Sequence, residues 1–276
     1  GHIEETTVTE SRPEAFTRPT SRKAEAHDAK NNAPAHLDHR LATFAEERYD
    51  LRHNLLTRQA EFRPKGQDAA AFFPLTARDL NSLCLSAHEA GIPCWDRDVS
   101  RFVASDRLPD YHPFRDYFDR LQPWDGEDRL DALARRVSDR ALWVRGFRRW
   151  MLAVAAQWMR MGDDHANSMA PVLVSGRQGL GKSTFCRNLL PPELSAYYTD
   201  SVDVANTARM EQLLVEMGLI NLDEFDRIPV RRHPALKNVM QLTDLHVRKA
   251  YRRDTLRLPR IASFIATSNS HELLSD

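Results

Sequence analysis

The stretch "SGRQGLGKSTFC", Ser175 to Cys186, constrains this chain more than any other, because few backbones use glycines, a lysine and two hydroxyls at this spacing. Gly176 and Gly181 enclose Arg177, Gln178, Gly179 and Leu180, and Lys182, Ser183 and Thr184 follow at once. Gly-x4-Gly-Lys-Ser is the pattern of a phosphate-binding loop, the P-loop. Glycines admit backbone conformations closed to residues with a Cβ, so consecutive N–H groups can turn inward around a phosphate. Lys182 would set an ammonium against the outer phosphates, and the Ser183 hydroxyl would ligate Mg²⁺. The expected cofactors are therefore ATP and Mg²⁺. The expected nucleotide contacts are Gly176, Gln178, Gly179, Leu180, Gly181, Lys182, Ser183 and Thr184, with the positive end of the following helix adding to the site. A merely flexible turn explains neither the lysine nor the hydroxyls.

Such a loop needs a strand before it and a helix after it, and "PVLVS" and "KSTFCRNLL" supply them. From Ala170 onward the runs "PVLVS", "AYYTDSV", "GLINLDE" and "IASFIATSN" are short, apolar and separated by helical or polar stretches. This alternation predicts an α/β fold with a mostly parallel sheet whose loops at one edge carry the chemistry.

Hydrolysis also requires an acidic anchor for the metal and a group that activates water. "LLVEMGLINLDEFD" ends an apolar run in Asp223 and Glu224. Asp223 is expected to hold Mg²⁺ together with Ser183, and Glu224 to polarise the attacking water. Asn221 interrupts the apolar run, and an exposed acidic cluster shared with Asp226 is the competing reading. Asn269, at the tip of the third strand, is expected to orient the lytic water or touch the terminal phosphate; "SNS" as simple turn chemistry is the alternative. Lys182, Glu224 and Asn269 are thus the expected catalytic residues.

Composition sets the frame for partners. Lys plus Arg equals Asp plus Glu at 39 each, so no global field draws the chain to a polyanion and any such contact must be local. Cys84, Cys94 and Cys186 are too few and too irregularly spaced for a disulfide framework or a zinc site, which suggests a reducing compartment and fits the cytoplasm. No apolar run is long enough to span a bilayer, so no membrane partner is expected. The start at Gly1-His2 reads as a cut fragment or tag remnant of a larger parent protein.

Residues 1–36 are polar, mixed in charge and punctuated by Pro13, Pro19 and Pro34, the composition of a disordered tail or linker. Residues 37–139 form a mainly helical N-terminal region. Within it "RYDLRHNLLTRQAEFR" suggests a small hairpin, and "LTARDLNSLCLSAHEAGI" a helix capped by Thr76 and closed at Gly91. "YHPFRDYFDRLQPWDGEDRLDALARRV" reads as helix, turn and helix. Residues 140–276 form the ATPase core, opening with a packed helix from Arg140 to Met161 that has a solvated basic face.

The local patch that neutrality demands is "LHVRKAYRRDTLRLPR", which concentrates Arg248, Lys249, Arg252, Arg253, Arg257 and Arg260 around Tyr251. Alternation around a short polar turn predicts a β-hairpin, with arginines for backbone phosphates and Tyr251 to stack on a base. A solvated charged hairpin is the simpler alternative. The expected nucleic-acid contacts are Arg248, Lys249, Tyr251, Arg252 and Arg253.

The order of these motifs resembles superfamily 3 helicases of the AAA+ class and, more closely, the virulence-associated protein E family of replication-type ATPases found in phages and mobile islands. "HPFRDYFDRLQPWDGEDRLDALA", "VLVSGRQGLGKSTF", "LINLDEFD", "VRKAYRRDTLRLPR" and "FIATSN" carry the resemblance. It implies an ATP-driven helicase or initiator acting on single-stranded DNA, often as a homo-oligomeric ring. It also implies that Lys182 and Ser183 take the Walker A roles, Asp223 and Glu224 the Walker B roles and Asn269 the sensor role. Family members insert an arginine from a neighbouring subunit, usually encoded soon after the Asn strand. No arginine follows Asn269 here, so the expectation is a core truncated at its C-terminal end that binds ATP yet hydrolyses it poorly. Two other readings stay open: a P-loop kinase for a small molecule, with the basic hairpin as its lid, and a non-motor nucleotide-dependent switch.

Overall fold

The computed structural model describes residues 37–68, 70–161, 166–177, 179–248 and 255–270, with only the backbone of Arg248 and Thr255. The expected tail, residues 1–36, lies outside the described residues. Two units meet in sequence between His112 and Pro113. That division falls before the boundary expected between residues 139 and 140, because Phe114 already packs on Trp158 and beside Gly218 at the parallel sheet.

The first unit runs α1 (Leu37–Glu46), β1 (Tyr49–Asn54), β2 (Gln59–Pro64), β3 (Phe73–Pro74), α2 (Ala77–Glu89), α3 (Asp96–Val103) and β4 (Asp110–Tyr111). The hairpin forms where its sequence suggests, with β1 and β2 antiparallel from Tyr49 opposite Pro64 to Asn54 opposite Gln59. It widens into a four-stranded sheet, β3-β2-β1-β4, through the two-residue strands β3 and β4. Buried Asn54 pins the register: its Oδ1 accepts the N–H groups of Leu56 (3.0 Å) and Thr57 (3.2 Å), and its Nδ2 donates to Glu61 at 2.6 Å. Thr76 caps α2 in a reciprocal box, its own N–H donating to Asp79 Oδ2 at 2.7 Å. Phe62, Leu83, Ala87, Cys94, Val99 and Phe102 centre the core of this unit.

The second unit continues with α4 (Pro113–Asp119), α5 (Arg129–Arg135), α6 (Ala141–Met159), β5 (Val172–Val174), α7 (Lys182–Arg187), β6 (Tyr198–Thr199), α8 (Thr207–Glu216), β7 (Leu219–Leu222), α9 (His233–Gln241), β8 (Asp244–Arg248), β9 (Thr255–Pro259) and β10 (Ser263–Ser268). Its main sheet has the order β5-β10-β7-β6, and every pairing in it is parallel. β10, the strand of the Asn269 motif, therefore lies between the strand that leads into the glycine loop and the strand that leads into Asp223. All six residues of β10 are buried, the condition of a central parallel strand covered on both faces. In α6, Val144, Phe147, Trp150, Val154 and Trp158 recur at helical spacing and are buried. The predicted basic hairpin is the separate antiparallel pair β8-β9.

Among the described residues no helix is long and apolar enough to cross a membrane.

Candidate functional site

Because β5, β7 and β10 are parallel and adjacent, their carboxyl ends open on one side. There they deliver Ser175, Asp223 and Asn269, the place where open parallel sheets bind ligands. The Ser175 N–H donates to Ser268 O at 3.1 Å and joins the start of the glycine loop to the end of β10.

Gly179 (φ 77°) and Gly181 (φ 79°) occupy the left-handed region, which costs glycine little and other residues more. Gly176 has neither a left-handed φ nor a neighbour within 4 Å of an added Cβ, so backbone shape alone does not require glycine there. Gln178 lies outside the described residues. The helix after the loop is shorter than "KSTFCRNLL" suggests, six residues ending at Arg187. Aligned peptide dipoles add little over so short a helix, and the site's positive charge comes from Lys182 instead.

The Lys182 Nζ donates to Asn269 Oδ1 at 3.0 Å and to Ser175 O at 3.1 Å. The Ser183 hydroxyl donates to Asp223 Oδ1 at 2.9 Å. These two contacts join three segments far apart in sequence. With Gly179, Leu180, Gly181, Thr184, Glu224 and Thr267, these side chains line an open cleft of about 330 Å³. Ser183 and Asp223 present two oxygens to it. Neighbouring ligands around a magnesium-sized ion with bonds of about 2.1 Å lie about 2.9 Å apart, so this donor pair suits a hard divalent cation.

Three supports were not legible as site residues. Thr267 donates its hydroxyl to Asp223 Oδ1 and accepts the Glu224 N–H at 3.2 Å, which fixes both acidic residues to β10. Asp226 accepts the Asn269 N–H at 3.0 Å and the Ser268 hydroxyl at 2.9 Å. These contacts, the Asn269 N–H first, hold its carboxyl below the usual carboxylate range. Asp200, at the end of β6, pairs with Arg187 at 2.9 Å and ties down α7. The signal for Asp226 and Thr267 lay in "DEFD" and "IATSN", where polar residues cluster just at the strand ends.

Glu224 sits in the left-handed region (φ 51°), and its carboxylate pairs with Arg227 at 2.5 Å, so it lines the cleft with a counter-ion already in place. Beneath the loop, burial first and then the Asp223 charge push the Cys186 thiol up to about 12, which makes it an inert packing group. Of the expected nucleic-acid contacts, Lys249, Tyr251, Arg252 and Arg253 lie outside the described residues, and Arg248 ends β8.

Two further arginines of the same basic stretch are engaged within the second unit, Arg257 on an exposed side chain and Arg260 in the interior. Arg257 donates to Asp244 at 3.0 Å. Arg260 is fully buried, donating to the carbonyls of Ala262 (2.8 Å), Asn167 (2.8 Å) and Met240 (2.5 Å), so sequence counts it in a surface patch that it does not join.

The second unit is thus an α/β domain with a parallel sheet and a polar cleft at its carboxyl edge. The chain belongs to the virulence-associated protein E-like domain family, whose model matches residues 118–276. No curated protein matches it. Among solved structures it is similar to the apo structure of the NrS-1 C terminal region (305-718), with 12% identity and a TM-score of 0.49 over 87% of this chain and 58% of that one. It is also similar to the A form apo structure of the same region, with 14% identity and a TM-score of 0.47 over 85% of this chain and 56% of that one. The chain therefore spans less than two thirds of the structures it matches.

Proposed function

We propose that the carboxyl-edge cleft binds Mg²⁺ and ATP as a P-loop of the AAA+, superfamily 3 kind. In this reading the chain is part of a replication-type ATPase of phage or mobile-element origin that acts on single-stranded DNA as a homo-oligomeric ring. The observation that carries the reading is the pair of contacts from one loop: Ser183 to Asp223 at 2.9 Å and Lys182 to Asn269 at 3.0 Å. Chance glycine turns do not aim a lysine and a hydroxyl at the tips of two neighbouring strands. Family membership supports the replication context.

In this reading Lys182 exchanges its bond to Asn269 Oδ1 for an outer phosphate oxygen, and Ser183 and Asp223 hold the metal. The metal, when bound, neutralises charge on the phosphate oxygens. Glu224, freed from Arg227, accepts a proton from the attacking water. Asn269, held from behind by Asp226, positions that water. The β8-β9 hairpin supplies the cationic contact to the DNA backbone through Arg248, Lys249, Arg252 and Arg253, with Tyr251 against a base.

Calorimetric titration of the chain with ATP and Mg²⁺ tests the cleft. The expected result is one site, weakened about 100-fold in Lys182→Ala through loss of a charged hydrogen bond. Equal affinity in the variant would refute it. Fluorescence anisotropy with labelled single-stranded DNA tests the hairpin. Binding should weaken steeply as salt rises and shallow in slope when Arg252 and Arg253 are neutralised. A salt-independent signal would overturn the DNA reading and leave the nucleotide reading standing.

A further inference from the structure

Cys84, His88 and Cys94 look unrelated in the sequence but converge in the first unit. Cys84 and His88 stand four residues apart on α2 and therefore on one face of that helix. Gly91, in the left-handed region at φ 77°, reverses the chain after α2 and returns Cys94 to the same face. One ligand atom from each of the three lies within 4.8 Å of the others. The Cys84 thiol contacts Cys94 O at 3.6 Å, and His88 Nε2 is hydrogen-bonded to that same carbonyl. Cys94 is buried, Cys84 half-buried and His88 exposed, so the cluster has an inner wall and a side open to solvent. Tetrahedral zinc, with bonds of about 2.3 Å to sulfur and about 2.0 Å to nitrogen, sets its ligands about 3.5 to 3.8 Å apart. Rotamer shifts of about 1 Å close the present spacing to that value.

We propose that Cys84, His88 and Cys94 form a binding site for a zinc-type cation, with the fourth position taken by water. The two sulfurs and the imidazole select a borderline-soft ion over magnesium or calcium. A bound ion would clip the end of α2 to the turn that leads into α3. Counting cysteines alone hides the site, because its third ligand is a histidine and its chain reversal depends on Gly91. The site is independent of the nucleotide reading, since all its ligands belong to the first unit.

The test uses the whole chain, reduced, stripped with a chelator and titrated first with Co²⁺ and then with Zn²⁺. The expected result is one equivalent of cobalt with thiolate charge-transfer and tetrahedral ligand-field bands, displaced by zinc, and a higher melting temperature with zinc bound. Cys94 is buried and its replacement could unfold the unit, so the decisive variants are His88→Gln, on an exposed side chain, and Cys84→Ser. Each should weaken zinc binding at least about 100-fold, more than the loss of an outer-shell partner does. Cys186→Ser should leave it unchanged. The absence of thiolate bands, binding that survives both variants, or a Cys84–Cys94 disulfide that forms in the presence of saturating zinc would each overturn the proposal.

Discussion

The two ends of the parallel sheet use polar side chains in opposite ways. At the amino end, before β7 and β10, Arg260 is buried and spends its guanidinium on the carbonyls of Ala262, Asn167 and Met240, while Gln157 Nε2 donates to Arg260 O at 2.6 Å. Beside it the Trp158 indole donates to Gly218 O at 3.0 Å, and the Phe114 ring stacks on Trp158 at 4.6 Å between centroids. Each of these groups has its partner within the unit, and Gln157 and Arg260 also border a cavity of about 360 Å³, with their donor groups tied to backbone carbonyls. At the carboxyl end, Lys182, Ser183, Asp223 and Asn269 also bond to one another, but they face an open cleft where a ligand can take over those bonds. The contrast teaches that a buried charge satisfied by backbone carbonyls is structural, whereas a half-exposed charge bonded to other side chains is available for chemistry.

Substitutions at the two ends should therefore separate activity from stability. The largest effect belongs to the carboxyl end. Glu224→Gln should lower phosphate release from ATP by about 10² to 10⁴-fold, the usual worth of a positioned general base, while ATP affinity stays within a few-fold. Undiminished turnover would remove Glu224 from the reaction.

Next comes the amino end. Arg260→Leu should cost about 3 kcal/mol or more in denaturant unfolding, because two buried carbonyls and one half-buried one lose their donor at about 1 to 3 kcal/mol each. The nucleotide affinity of the folded fraction should not change. A stable Arg260→Leu protein would show that the amino end is less tightly satisfied than its contacts indicate.

Gly218→Ala follows at about 1 to 3 kcal/mol, as overpacking. Its Cβ would fall 2.2 Å from Phe114 Cζ, and part of the loss should return in the double variant with Phe114→Leu. Non-additivity in that cycle is the signature of direct contact; simple additivity would deny it.

The smallest effect is a pH dependence at Asp226. Its folded carboxyl lies below the unfolded value, so its contribution is full above the ordinary carboxylate range and disappears as pH falls through the lowered value. Asp226→Asn should remove that acid-side slope and cost under about 1 kcal/mol at neutral pH, as befits an exposed group. An unchanged slope in the variant would mean that other carboxylates produce it.

Much of this was legible in the sequence because it is local. The strands "VLV", "LINL" and "SFIATS", the Thr76 cap and the helices around "PWDG" follow from periodicity and turn chemistry within a few residues. The convergence of Lys182, Ser183, Asp223 and Asn269 on one cleft was legible for the same reason, since they sit at fixed offsets from apolar runs. Strand order was not, because only the folded pairing puts β10 between β5 and β7 and so brings Thr267 to Asp223. Arg260 misled as a surface charge, since its partners are carbonyls from distant segments that no local pattern encodes. The gathering of Cys84, His88 and Cys94 stayed hidden for a related reason: it depends on a chain reversal rather than on spacing.

The most direct test is a crystal structure of the chain with Mg²⁺ and a non-hydrolysable ATP analogue. The outer phosphates should lie within hydrogen-bonding distance of the loop amides from Gly179 to Thr184 and of Lys182 Nζ, with the metal on Ser183 and on or beside Asp223. A nucleotide bound elsewhere, or a cleft in which the Lys182–Asn269 and Ser183–Asp223 bonds persist at saturating nucleotide, would contradict that placement.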